Sequence, residues 1–208
     1  MKKPAVITVQ DIEIKRDQRV VLSKFSASFE LGTITAIIGA NGSGKSSLVE
    51  ALSGHLPLSQ GNVLFGSRNL KEISRSEQAQ YRSVVLQNQR YSLGFTVRQI
   101  VCLGIELATS DQLESALRDA GALDLVDRNI LELSGGEIQR VSIAHALARN
   151  TDVLILDEPL SAQDNVSKAH LISLFKSLRD RGKTIIFIAH MDEKDLTWCD
   201  QVIQTNSK

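Results

Sequence analysis

The sequence predicts an α/β fold: a mainly parallel core sheet flanked by helices, with an antiparallel β part at the start and a small helical insert. Three observations predict it. Short apolar runs over 153–156 and 184–188 alternate with helix-patterned segments over 136–149 and 166–181. Strand–helix–strand order with apolar strands implies a parallel sheet covered on both faces. Before this stretch the chain reads as polar-alternating strands, and between 74 and 121 it reads as helix.

The elements follow in order. Val6-Ile7-Thr8-Val9, Ile12-Glu13-Ile14 and Phe25-Ser26-Ala27-Ser28-Phe29 alternate with period two, as antiparallel strands with one wet face do. Residues 33–38 (TITAII) are more continuously apolar and β-branched, as in a buried strand. They run into Gly39, and a helix follows over about 45–53 with Gly54 as its C-terminal cap. Farther on, Ser74 with Glu77 and Thr96 with Gln99 fit capping boxes, and Asp111 with Glu114 resembles one. Leu113, Ala116, Leu117 and Ala120 make an apolar stripe at helical spacing. Gly182 ends the 166–181 helix.

At 208 residues the chain suits one domain with a subdomain. Formal net charge is zero, so a nucleic-acid-sized basic field is not expected. Hydrophobic residues at 42% and charged residues at 23% describe a folded rather than a disordered chain. Cys102 and Cys199 are not in metal-like spacing and read as free thiols of a reducing compartment. The opening residues lack the apolar core of a leader, and no apolar run approaches the roughly 20 residues that span a bilayer.

Four constellations carry chemistry. Gly39-Ala40-Asn41-Gly42-Ser43-Gly44-Lys45-Ser46, followed by Ser47, fits the phosphate-loop pattern between a buried strand and a helix. Its glycines let backbone N–H groups wrap phosphates, and the helix start adds its dipole. Lys45 would reach the β- and γ-phosphates of ATP while the Ser46 hydroxyl binds Mg²⁺. A chance Gly-rich turn would not need that strand–helix setting. In Val153-Leu154-Ile155-Leu156-Asp157-Glu158, four apolar residues deliver two acids to the carboxyl end of the sheet, where ligands of open α/β sheets sit. Asp157 can then hold the metal, and Glu158, on the opposite face, can polarise an attacking water.

Leu133-Ser134-Gly135-Gly136-Glu137 opens the next helix and offers bare amides and a hydroxyl, a second anion site. By itself this is a capped helix start; two such sites become useful together when two chains pair head to tail. His190 follows the 184–188 strand, one strand-end from Glu158, where an imidazole could bond the γ-phosphate or water. Gln87 ends the apolar run Val84-Val85-Leu86 and could reach metal and water. His55, His145 and His170 read as structural or solvated.

Taken in order, the phosphate loop, Gln87, 133–137, Asp157-Glu158, Ser161-Ala162-Gln163-Asp164 and His190 resemble the ATP-binding subunit of ABC transporters, over essentially the whole chain. The resemblance implies a P-loop NTPase of ABC type, one ATPase domain over 1–208 with a helical subdomain at about 88–140, and ATP and Mg²⁺ as its ligands. It implies two copies that sandwich two ATP molecules, with Ser134, Gly135, Gly136 and Glu137 completing the partner's loop. Glu158 is then the general base, His190 the γ-phosphate sensor, Gln87 a metal-side link to the transport domain, and Asp164 a residue that communicates across the pair.

The sequence departs from the pattern in places. Where the family stacks an aromatic ring on adenine, this chain has Ile14-Lys15-Arg16, and the Arg16 guanidinium could take that place. Glu137 stands for the usual Gln, Ala40 for Pro and Gln163 for Leu. The chain ends soon after His190, so the family's last strands are expected to be missing or abbreviated.

Leu86-Gln87-Asn88-Gln89, Phe95-Thr96-Val97-Arg98-Gln99-Ile100-Val101 and Leu103-Gly104 look similar to bacterial importers of iron chelates, haem, cobalamin and metal ions. The implied partners are a second ATPase subunit and integral permease subunits, with room for a substrate-binding protein. The implied location is the cytoplasmic face of the cell membrane. The alternatives are a soluble non-transport ABC ATPase and an exporter subunit. A coiled-coil repair ATPase would need a long heptad insert, which is absent, and a P-loop kinase would not explain Ser134, Gly135 and Gly136.

Overall fold

In the computed structural model the two early apolar runs belong to one strand. The structure describes residues 5–87, 89–105, 109–161 and 163–205; Asn88, Ala162 and the first four residues, each used above, lie outside them. Strand β1 (Ala5–Arg16) pairs antiparallel with β2 (Arg19–Glu30). Its buried positions are Ile7 and Val9, then Ile12 and Ile14. This change of parity needs an extra residue, and the register shifts between Val9 and Ile12. Asp11 takes φ 44 there, its N–H donating to Ser26 Oγ at 2.9 Å. Gly61 faces the bulge: a Cβ there would lie 2.4 Å from the Gln10 carbonyl oxygen.

Gly61 belongs to β4 (Gln60–Phe65), which pairs with β1 and then with the short β5 (Arg68–Asn69). The sequence pattern assigns neither, because β4 alternates weakly and β5 has two residues. The first sheet has the order β2-β1-β4-β5.

The second sheet begins with β3 (Ile34–Ile38), buried at every position as a two-side-covered strand must be. Helix α1 (Lys45–Leu52) follows it, and Gly54 takes φ 70 just past its end. Helix α2 (Arg75–Tyr81) is capped by Ser74, whose hydroxyl accepts from the Glu77 N–H. Strand β6 (Arg82–Val85) leads to α3 (Val97–Val101), where Thr96 and Gln99 form the full capping box. Helix α4 (Ser110–Asp119) starts two residues earlier than expected. Thr109 caps it, accepting from the Gln112 N–H, and Asp111 lies inside the first turn, where its charge faces the helix dipole.

Helix α5 (Gly135–Ala148) runs through residue 140 and packs on both α3 and α4. Strand β7 (Val153–Leu156), helix α6 (Asn165–Asp180), strand β8 (Thr184–Ile188) and strand β9 (Gln201–Gln204) complete the chain as described. The order β6-β7-β8-β3-β9 is parallel at every pairing. Strand β9 forms one edge of this sheet, beside β3.

Alternate residues of β3 face two cores. Ile37 joins Leu48, Leu52 and the first sheet; Ile34, Ala36 and Ile38 join α5, α6 and the helical insert. In the second core the rings of Phe175, Phe187 and Trp198 stack with centroids 5.4–6.4 Å apart. The carboxyl ends of β3, β7 and β8 thus meet at one edge, beside the start of α1. Among the described residues no helix is long and apolar enough to cross a membrane.

Candidate nucleotide site

The loop after β3 holds the shape its composition allows. Gly39, Gly42 and Gly44 take φ 152, 80 and 89, and Gly44 precedes α1 with its amide end open. Gly39 is packed so closely that a Cβ would meet Thr205 Oγ1 at 2.4 Å. Lys45 is 6% exposed and curls back, Nζ donating to the carbonyls of Gly39 at 2.9 Å and Ala40 at 3.0 Å. Residues Asn41, Gly42, Gly44, Lys45, Ser46 and Ser47 line a cleft of about 230 Å³ together with Val21, Glu158 and His190. The spacing therefore brings the phosphate loop, the second acid and the histidine to one place, as expected.

The two acids face different ways. Asp157 is 5% exposed and within hydrogen-bonding reach of the Ser46 hydroxyl, while its Oδ1 is buried without a partner. Burial, then the neighbouring Glu158 charge, raise its pKa to about 6. A buried carboxyl with an unused oxygen beside a serine hydroxyl fits a hard cation such as Mg²⁺, which takes oxygen ligands and completes its shell with water and phosphate. Glu158 has φ 52, a left-handed backbone uncommon outside glycine. Its carboxylate is held from two sides: Gln87 Nε2 donates to Oε2 at 2.6 Å, and His190 Nε2 lies 2.5 Å from Oε1. Gln87, Glu158 and His190 follow β6, β7 and β8, which are adjacent strands, so the contact is a product of strand order.

Ser134, Gly135 and Gly136 are placed elsewhere and do not line the cleft. Ser134 caps α5 in a full box, its hydroxyl accepting from the Glu137 N–H while the Glu137 carboxylate accepts from the Ser134 backbone. The hydroxyl and backbone N–H of Ser134 hold the exposed Glu137 carboxyl below its usual range. Ser134 and Gly135 are exposed, and a Cβ on Gly135 would meet nothing within 4 Å. Gln163 Nε2 donates to the Gly136 carbonyl at 3.3 Å, tying the residue just before α6's cap to this helix start. Asp164 caps α6, accepting from Ser167 N–H at 2.8 Å.

Arg16 stands at the end of β1 over α1, its Nε donating to Ser47 Oγ at 3.0 Å and its Nη2 pairing with Glu50. It is beside the loop helix but does not line the cleft. His55, His145 and His170 bond Ser53 Oγ, the Val101 carbonyl and the Asp119 carbonyl respectively, as structural histidines do. Both cysteines are free, and burial raises Cys199 to about 12.

Two residues at the site are not signalled by any motif. Val21 of β2 lines the cleft, and its carbonyl oxygen would lie 2.8 Å from a Cβ on Gly44. Thr205, just after β9 and 2% exposed, meets Ser43 Oγ at 2.6 Å and donates its N–H to the Ile38 carbonyl. A lone threonine in a polar stretch carries no sequence signal of such a role.

A sequence model described as ABC transporter matches residues 22–161. The hemin import ATP-binding protein HmuV of Bordetella avium is 33% identical over 215 residues, 95% of this chain and 81% of that protein. The manganese transport system ATP-binding protein MntB of Listeria monocytogenes is 34% identical, covering 96% and 86%. The zinc transport system ATP-binding protein TroB of Treponema pallidum is 33% identical, covering 96% and 78%. Among solved structures, a bacterial Atm1-family ABC exporter with ATP bound superposes with a TM-score of 0.86 at 21% identity, covering 100% of this chain and 38% of that one. An ATP-binding cassette of an ABC transporter in its ADP conformation superposes at 0.80 and 22%, covering 98% and 89%. These two show the fold.

Proposed function

The chain belongs to the ABC transporter family as an ATP-binding, ATP-hydrolysing member, and from that premise we propose that it powers a bacterial importer through ATP-driven closure of a dimer. The observation that carries this is the separation of the two anion-binding helix starts. The cleft at Lys45 has the phosphate loop, Glu158 and His190 but lacks Ser134, Gly135 and Gly136, which lie elsewhere, the first two exposed and the third half-buried. A second copy, placed head to tail, supplies to each cleft what it lacks.

In this reading the amides of the loop and Lys45 hold the phosphates of ATP. Ser46, Asp157 and Gln87 would hold Mg²⁺, whose charge would offset that of the phosphates. Glu158 orients the attacking water and takes its proton, and His190, already on Glu158, keeps that carboxylate in place and contacts the γ-phosphate. Gln87 joins Glu158 to the insert and reports the state of the site to it. Arg16 flanks the adenine, and Ser47 and Glu137 support the two helix starts.

One ATPase domain over 1–208 accounts for the chain, its helical part at about 88–140 gripping a permease. The hemin import relative supports the import direction, and the manganese and zinc transport relatives support a transport role; such a subunit would work peripherally at the cytoplasmic face of the membrane. Purification of the tagged chain from mildly solubilised membranes tests the reading. Co-purification of a multi-span permease is expected; recovery of soluble partners alone would sink it.

A further inference from the structure

Away from the nucleotide cleft, a second cavity of about 270 Å³ lies where the C-terminal ends of α1 and α5 meet α2 and the start of β6. Its deepest charged group is Arg82, 5% exposed. Nη2 of Arg82 donates to Gln78 Oε1 at 2.5 Å, and the guanidinium lies over the Phe65 ring, 5.0 Å from its centroid. Nη1 is buried and has no hydrogen-bond partner.

No acid lines this cavity, whereas Arg75, Arg149, His55 and His145 do. None of the three arginines has an ion-pair partner among the described residues. A guanidinium taken out of water without a counter-charge is costly, and burial lowers Arg82 to about 10. The carbonyl ends of α1 and α5 offset part of the positive charge. They do not complete the site, since no carbonyl accepts from Nη1. Arg149 reaches only the Gly104 carbonyl, at 3.4 Å.

Such a lining suits a small acceptor with negative charge, which the fork of a guanidinium binds well. We infer that this cavity binds one oxyanion, a carboxylate or a phosphate, among the guanidinium groups of Arg82, Arg75 and Arg149 that line it. The site shares no lining residue with the cleft at Lys45, so it is a separate place on the molecule. The oxyanion comes either as a free ion or on an acidic side chain presented by a docked segment.

Calorimetric titration of the full chain, its phosphate loop saturated with Mg-ADP, with inorganic phosphate and with N-acetyl-glutamate amide tests the inference. Arg82→Gln is expected to weaken binding at least tenfold, as loss of a charge-assisted bond does. Arg149→Gln, which leaves the buried Arg82 untouched and so guards against misfolding, is expected to weaken it about threefold. Binding of phosphate alone assigns the site to a free ion; binding of the glutamyl amide assigns it to an acidic side chain. Heat from neither probe, or equal affinity in folded wild type and Arg82→Gln, overturns the inference.

Discussion

Asp157 shows how burial sets the behaviour of a single side chain. Its folded pKa of about 6 stands above the ordinary 3.8 because the charged form is poorly solvated beside Glu158. A raised carboxyl pKa contributes stability below about pH 4 that is lost as pH rises through about 6. Nucleotide-free protein should lose melting temperature across that window, and Asp157→Asn should flatten the loss and raise Tm at pH 7.5 by on the order of 3 °C. In the proposed site a cation must displace the proton. Below pH 6 the Mg²⁺ needed for half-maximal ATPase rate should rise about tenfold per pH unit beyond what protonation of ATP accounts for. A Mg²⁺ requirement that tracks ATP alone removes Asp157 from the metal site. Arg16 answers to a simpler measurement. It is anchored on Ser47 and Glu50 beside the loop helix, so Arg16→Ala should raise the ATP KM several-fold and leave kcat nearly unchanged. An unaltered KM would exclude it from adenine contact.

Among the elements, strand β9 is the one whose importance the sequence concealed. Buried strands such as β3, β7 and β8 announce themselves by unbroken apolar runs, and α5 by the capped start at Ser134. Four residues on a sheet edge, three half-buried and one exposed, have no such period, and neither do β4 and β5. Yet the end of β9 positions Thr205 against Gly39 and Ser43, so an edge strand shapes the phosphate loop. Thr205→Val keeps the volume and removes the hydroxyl. It is expected to lower Tm by roughly 2–4 °C, about 1 kcal/mol for one buried hydrogen bond, and to raise the ATP KM about threefold; nucleotide titration and thermal melting measure both. Unchanged KM would make Thr205 a fold residue only. The bulge at Asp11 was hidden for a related reason: a single inserted residue reads as a break between two strands rather than a kink in one.

On the scale of the whole molecule, linear motifs named the groups of the site, and strand order alone could say which of them touch. Gln87, Glu158 and His190 are far apart in sequence and meet because β6, β7 and β8 are neighbours. The start of α5, expected from the sequence to complete a partner's loop, lies away from the cleft of its own chain. Glu158→Gln tests the base and the dimer together. ATP binding should persist, turnover should fall at least 100-fold as for a lost general base, and an ATP-dependent dimer should accumulate in size-exclusion chromatography. Normal turnover would mean that the base lies elsewhere.

Lys45 adds a consequence about how ligand arrives. Its ammonium laces the loop through the carbonyls of Gly39 and Ala40, so the cradle is braced by its own lysine. Capture is then an exchange of acceptors on a pre-organised ring, with little ordering entropy left to lose. The same lacing makes Lys45→Ala an impure probe, because it removes a cation and also frees the loop to wander; slower capture in that variant would combine both effects.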